Sequence, residues 1–212
     1  THGPESGTLT LGGQPLRMRN ARHAAGHGIG MVFQEQSLLL NMTVAENIYL
    51  GQEHQFTRFG IVNWRAMNDA SRRQLAKIGV DIDVTARASG LTFAARQMVE
   101  LAKALTLEES VDRPLVILLD EPTSVLSASD IDVLFARVKS LKSRASFVFV
   151  SHRLEEVLRI SDRVYTMKDG AVVAELRSED VTAPALHEIM VGRGLQTEYY
   201  KEGKQNAPRS EV

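Results

Sequence analysis
The chain has 212 residues, 43% of them hydrophobic, with 25 basic and 26 acidic side chains and a formal net charge of −1. A single domain of this length buries roughly 70% of the surface its unfolded chain exposes, and a near-neutral balance supplies no field for a phosphate backbone, so nucleic acid is not an expected partner. There is no cysteine for disulfides or thiolate metal sites, and no apolar run approaches the ~20 residues that span a bilayer; the expectation is a cytosolic globular domain that meets a membrane only through a partner.

In chain order, Thr8 to Leu11, the Gly12-Gly13 turn and Gln14 to Arg19 read as a small β element. Gly26-His27-Gly28-Ile29-Gly30 reads as a turn leading into a short strand pattern that ends on Gln34. Leu38, Leu39, Leu40 and Met42 form an apolar cluster that is either core or interface. Thr43 and Glu46 have capping-box spacing at the start of a helix toward Leu50, and a second helix is predicted from Trp64 to Ile78, stopped by Gly79. A third, capped by Thr92, carries Met98, Leu101, Ala102 and Leu105 at the i, i+3, i+4, i+7 spacing of a buried face.

Leu115 to Leu119 is a run of large apolar residues without polar alternation, which predicts a central parallel strand covered on both faces. Ile131, Leu134, Phe135 and Val138 mark the next helix, capped through Ser127 and Asp130 or through Ser129 and Asp132. Ser146 to Val150 is a second apolar strand. Arg163 to Met167 and Ala171 to Glu175 make a hairpin around Asp169-Gly170, and Leu186, Ile189 and Met190 mark a last short helix. From Gly194 the sequence is polar and aperiodic, the composition of a linker or tail.

Chemistry gathers where the apolar strands end. The first delivers Asp120 and Glu121 as adjacent carboxylates, and Pro122 disfavours the helical region for Glu121, predicting extended backbone there. In phosphate-transfer enzymes one carboxylate of such a site holds Mg²⁺ while a second group positions the attacking nucleophile. The second strand is followed by His152, which parallel pairing would bring beside Glu121, able to contact a γ-phosphate or orient the water. Gln34 follows the Gly28–Phe33 strand and can both donate and accept hydrogen bonds to the same metal and water. Each group also has a plain structural reading, and it is their combination that points to hydrolysis of a nucleoside triphosphate.

These residues resemble the ATP-binding cassette (ABC) ATPases: Gln34 stands at the Q-loop position, Asp120 and Glu121 at Walker B and the catalytic glutamate, and His152 at the switch histidine. The stretches Met31 to Gln36, Thr43 to Ile48, Gln97 to Leu105 and Ser151 to Val157 look like the first half of tandem ATPases that power bacterial monosaccharide importers, and Met190 to Leu195 resembles the exit from that half. The resemblance implies an α/β fold of P-loop NTPase (ABC ATPase) type, with a mainly parallel sheet flanked by helices, a small β element and a helical subdomain over about 43–105. The partial ATPase domain would occupy residues 1–193 and a linker or tail 194–212. The implied ligands are ATP and Mg²⁺. The implied roles are general base for Glu121, metal ligand through water for Asp120, a bridge from metal to membrane partner for Gln34, and γ-phosphate contact for His152.

The implied partners are transmembrane permease subunits, a second cassette and, indirectly, a periplasmic sugar-binding protein, with the chain cytoplasmic and peripheral on the inner membrane face. Three departures from the family pattern stand out. No Gly-x-x-x-x-Gly-Lys-Ser/Thr stretch occurs, so the loop that wraps phosphates in backbone amides is expected to be missing through truncation before Thr1. Leu91 to Ala95 replaces the Leu-Ser-Gly-Gly-Gln signature, keeping a hydroxyl at Thr92 but placing Ala94 and Ala95 where the partner's ATP is clamped. Ser127 stands where the D-loop commonly has aspartate. An inactive isolated fragment with an asymmetric parent pair is the resulting expectation. The alternatives are a degenerate dimerisation partner, or a soluble ABC ATPase of DNA repair or translation.

Overall fold
The computed structural model describes residues 6–33 and 37–191. By contact density the chain divides after Val150, and the two parts are described separately.

The first part opens on the two-residue strands β1 (Thr10–Leu11) and β2 (Gln14–Pro15), paired antiparallel across the glycine turn. The element is shorter than its pattern predicts. Pro15 has no ladder N–H, and the pairing finishes with the Leu16 N–H donating to the Leu9 carbonyl at 2.7 Å. A helix absent from the sequence reading follows, α1 (Ala21–Gly26), whose N-cap Asn20 accepts from the His23 N–H at 2.8 Å. Asn before an alanine-rich run was a legible start signal. Gly28 then makes the expected turn with a left-handed φ of 76°, leading into β3 (Ile29–Val32).

Three helices form one cluster: α2 (Val44–Ile48), α3 (Trp64–Lys77) and α4 (Phe93–Leu105) pack against one another. The capping box at α2 is complete, with the Thr43 N–H and hydroxyl both donating to Glu46 Oε2 at 2.7 Å. Between α2 and α3 lies a small hairpin of β4 (Thr57–Arg58) and β5 (Ile61–Val62). Helix α3 ends where Gly79 takes a φ of 63°, a glycine stop of the predicted kind. The predicted face of α4 is buried, and burying each large apolar side chain contributes about 1.5–3 kcal/mol. Strand β3 approaches α4 so closely that a Cβ at Gly30 would sit 3.3 Å from the Ala104 Cβ.

Strand β6 (Leu115–Asp120) is the middle of a parallel sheet in the order β3-β6-β7, with β7 at Ala145–Val150 and α5 (Ala128–Ser140) as the crossover between β6 and β7. The expectation that β6 is covered on both faces is only half met. Leu115, Ile117 and Leu119 are buried, whereas the face carrying Val116 and Leu118 is half-exposed, with its neighbours Met31 and Val148 exposed. Alternation here is written in burial and not in residue type, so the apolar run could not reveal it.

The second part holds α6 (Leu154–Ile160), the hairpin of β8 (Arg163–Lys168) and β9 (Ala171–Arg177), and α7 (Ala183–Val191), which packs on α6 and β8. The hairpin turns on Asp169 and Gly170 at φ 49° and 78°, the double left-handed geometry that Asp-Gly favours. The proposed tail from Gly194 lies outside the described residues.

Candidate functional site
Register places the ends of the three parallel strands on one rim of the sheet. Val32 at the end of β3 lies opposite Leu119, and Val150 at the end of β7 lies opposite Asp120. Asp120 is half-buried as the last residue of β6, so its carboxylate belongs to a strand fixed on both edges. Glu121 follows immediately, its N–H donating to the Val150 carbonyl at 2.9 Å, which extends the β6–β7 ladder by one residue.

The extended backbone predicted at Glu121 is overturned: its φ is 45°. The ring of Pro122 opposes the right-handed helical region, and the chain reverses instead through the left-handed one, with the Ser124 N–H donating to the Glu121 carbonyl at 3.2 Å. An L-residue pays roughly 1–2 kcal/mol for this conformation, and backbone strain of this kind concentrates at functional positions. Pro122 and Thr123 are buried beneath the turn, which holds the glutamate in place.

Asp120 and Glu121 are hard oxygen donors at a strand end. Mg²⁺ characteristically takes one or two carboxylates and fills its remaining positions with water and phosphate oxygens, so this donor set suits it. The Gly-x-x-x-x-Gly-Lys-Ser/Thr motif, which wraps phosphate in backbone amides, does not occur among the 212 residues.

The other expected site residues are placed as follows. Gln34, with Glu35 and Gln36, lies outside the described residues. His152 belongs to the second part of the chain, in the bend between β7 and α6, where the Arg153 N–H donates to Ser151 Oγ at 3.1 Å and Arg153 pairs with Glu156 at 3.0 Å. Thr92 is the N-cap of α4, its hydroxyl accepting from the Ala95 N–H at 3.2 Å, and Ala94 lies in the first turn of that helix. Ser127 caps α5, accepting from the Asp130 N–H at 3.3 Å and donating to Asp130 Oδ2 at 2.6 Å, which selects the first of the two capping arrangements. Caps of this kind are worth about 1 kcal/mol, so both hydroxyls have a structural duty whatever else they touch.

Two polar residues that sequence reasoning passed over organise the segment after the Q-loop position. Glu100, buried on α4, accepts from the Ser37 N–H at 2.6 Å and from the Ser37 hydroxyl at 2.9 and 3.0 Å. Asn47, buried on α2, accepts from the Leu39 N–H at 2.7 Å and donates to the carbonyls of Leu39 and Thr43 at 3.0 and 2.9 Å. Between them they pin residues 37–39 to two helices. The apolar cluster is thereby divided, with Leu38 in the core and Leu39 and Leu40 exposed. Polar residues inside amphipathic helices were the available signal, since burying a carboxylate or amide demands partners.

A family model described as ABC transporter matches residues 1–124. The chain is 40% identical over 197 residues to ribose import ATP-binding protein RbsA 1 of Rubrobacter xylanophilus, covering 92% of this chain and 38% of that protein. It is 37% identical over 195 residues to ribose import ATP-binding protein RbsA of Rhodococcus jostii, covering 92% and 38%. The chain thus spans about two fifths of the length of these curated relatives. Among solved structures, a nucleotide-free ATP-binding cassette from an ABC transporter matches with a TM-score of 0.70 at 21% identity, covering 89% of this chain and 74% of that one. The ADP conformation of another such cassette matches with a TM-score of 0.72 at 23% identity, covering 89% and 78%. Identities this low speak for the fold alone, and the fold is that of an ATP-binding cassette, with a parallel sheet among helices. The chain belongs to the ABC transporter family.

Proposed function
We propose that this chain is the ATPase part of a sugar importer's energising subunit, with Glu121 as the general base. The observation that carries the reading is the acid pair itself: Asp120 ends the central parallel strand and Glu121 is held in a strained turn beside it, hydrogen-bonded to the neighbouring strand end. In the proposed reaction Glu121 accepts a proton from water as the water oxygen bonds to the γ-phosphorus and the bond to the β–γ bridging oxygen breaks, releasing ADP and phosphate. Asp120 and Gln34 would hold Mg²⁺, whose chemistry when bound is neutralisation of phosphate charge. His152 is assigned to the γ-phosphate and the attacking water, on its position after the strand that pairs with β6. Thr92 and Ala94 are assigned to the ATP held by a second cassette, and Ser127 to the contact between the two.

The relatives' names are those of ribose import proteins, which supports sugar as the cargo class. Permease subunits are the proposed membrane partners, with exposed Leu39 and Leu40 beside the Q-loop position as their contact, and a periplasmic sugar-binding protein acts beyond them. The site of action is the inner face of the cell membrane.

A second reading is a cassette that serves only as a dimerisation partner, favoured by Ala94 and Ala95 at the signature position. Joining a glycine-rich, lysine-bearing phosphate loop to the chain separates the two. Hydrolysis that appears on joining and falls about 10²–10⁴-fold in Glu121→Gln supports the enzyme; a joined chain that binds MgATP and pairs without turnover supports the scaffold.

A further inference from the structure
Between Glu5 and Glu35 the chain carries no acidic residue but three arginines, Arg17, Arg19 and Arg22, so a molecule that is near neutral as a whole is cationic along this segment. Helix α1 gathers part of that charge. Arg22 and Gly26 form one i, i+4 pair and His23 and His27 another, which puts all four on one side of the helix. With Arg19 and Asn20 they line a concavity of about 480 Å³, and Gly26 has open space where a side chain would stand. No acidic residue is part of that lining, and neither the Arg19 nor the Arg22 side chain has an ion-pair or hydrogen-bond partner among the described residues.

The two imidazoles select the kind of ligand. Their rings meet edge to face, 4.8 Å apart between centroids at 70°, and Nδ1 of each is buried without a hydrogen-bond partner. A histidine that binds a metal through Nε2 keeps its proton on Nδ1 and donates it to a carboxylate, carbonyl or water, and neither ring has such an acceptor. A buried N–H with nothing to receive it is unfavourable, so the proton of each ring belongs on Nε2, the nitrogen that stays accessible. Both rings then offer N–H donors beside two guanidinium groups. The backbone amide of the first turn is already taken, since Asn20 Oδ1 accepts from the His23 N–H at 2.8 Å, and the donors are therefore side chains and not the helix end.

We infer that Arg19, Arg22, His23 and His27 form a binding site for the phosphate group of a small molecule. A phosphate group presents mainly acceptors and about two negative charges, which matches four donors lining one concavity without an acidic neighbour, and the guanidinium fork suits its oxygens. A divalent cation would face two fixed positive charges there and no carboxylate, and no group of three or more His, Cys, Asp or Glu side chains among the described residues is placed to hold a metal. The site uses none of the residues assigned to ATP hydrolysis, and it holds or fails without that reading.

The test is a titration followed by the NMR signals of the histidine rings at fixed pH and ionic strength, with inorganic phosphate, glycerol phosphate and, as a control, chloride. The His23 and His27 ring signals, assigned through His23→Gln and His27→Gln, are expected to shift together and to saturate below about 10 mM phosphate, an affinity that two charge-assisted hydrogen bonds can supply, while chloride leaves them in place. Saturation at lower concentration with glycerol phosphate identifies a phosphate monoester as the ligand, and the reverse order identifies free phosphate. Arg19→Gln with Arg22→Gln weakens binding about tenfold or more, as the loss of two charged donors requires. Gly26→Glu, which sets a carboxylate among the cations, weakens it with both arginines still in place. All three positions are exposed, and circular dichroism verifies that each variant is folded. Shifts that do not saturate, that chloride reproduces, or that persist unchanged in the Arg19 and Arg22 variant overturn the proposal. Zinc ions shifting these signals where phosphate does not would mark a metal site and overturn it as well. A phosphate-induced shift confined to the His152 ring supports the ATPase reading and overturns this one.

Discussion

At Glu121 the carboxylate proposed as the base sits on a backbone conformation that glycine would adopt without strain. Function and stability therefore pull in opposite directions at one residue. Glu121→Gly is expected to leave the urea midpoint unchanged or to raise stability by up to about 1 kcal/mol, while Glu121→Ala, which keeps the strain, does not raise it. A substantial loss of stability in the glycine variant would mean that the side chain, and not the chemistry, retains glutamate there. The acid pair was legible in the sequence because it ends an apolar run, but the turn was not: proline's effect on its predecessor excludes one region and leaves the choice of the other to tertiary hydrogen bonds. Glu100 and Asn47 were hidden for a related reason. Their side chains answer donors and acceptors on residues 37–43, and a helical wheel shows only that a polar residue falls on a buried face.

Among the elements, those with local start and stop signals came out nearly as read. The capping box at Thr43, the glycine stop at Gly79 and the Asp-Gly hairpin each rest on hydrogen bonds or dihedrals within a few residues. The packing of α2 and α3 with the segment after α4 adds a property the pattern does not show. Tyr49, fully buried, donates to Glu109 at 3.2 Å, and Gln74 Nε2 donates to the same carboxylate at 2.5 Å. Burial pushes the Tyr49 phenol up to about 12 from its ordinary 10, with Glu109 adding to the rise and the Gln74 hydrogen bond opposing it. Because the folded state keeps this proton while the unfolded chain releases it, stability is unaffected below pH 10 and falls as pH rises from 10 toward 12. Denaturation curves across that window are expected to show the fall in the native sequence and a smaller one in Tyr49→Phe, measured relative to each protein at neutral pH.

For the whole molecule, the proposed nucleotide site has its acid pair, and no Gly-x-x-x-x-Gly-Lys-Ser/Thr stretch occurs among the 212 residues. Calorimetry on this chain is expected to give a MgATP dissociation constant of about 1 mM or weaker, near −4 kcal/mol, and micromolar binding would contradict the proposed division of the site. The amino-acid sequence by itself determined most of the element types, the caps at Thr43 and Thr92, the carboxylates after an apolar strand and the family, because periodicity, turn chemistry and motif spacing are short-range properties. Tertiary structure decided the rest. It set the register that aligns Asp120 with Val150, chose the left-handed turn at Glu121, buried only one face of β6 and joined Ser37 to Glu100. Each of those outcomes depends on side chains and strand edges far apart in the chain, whose packing and hydrogen bonding exist only once the chain has folded.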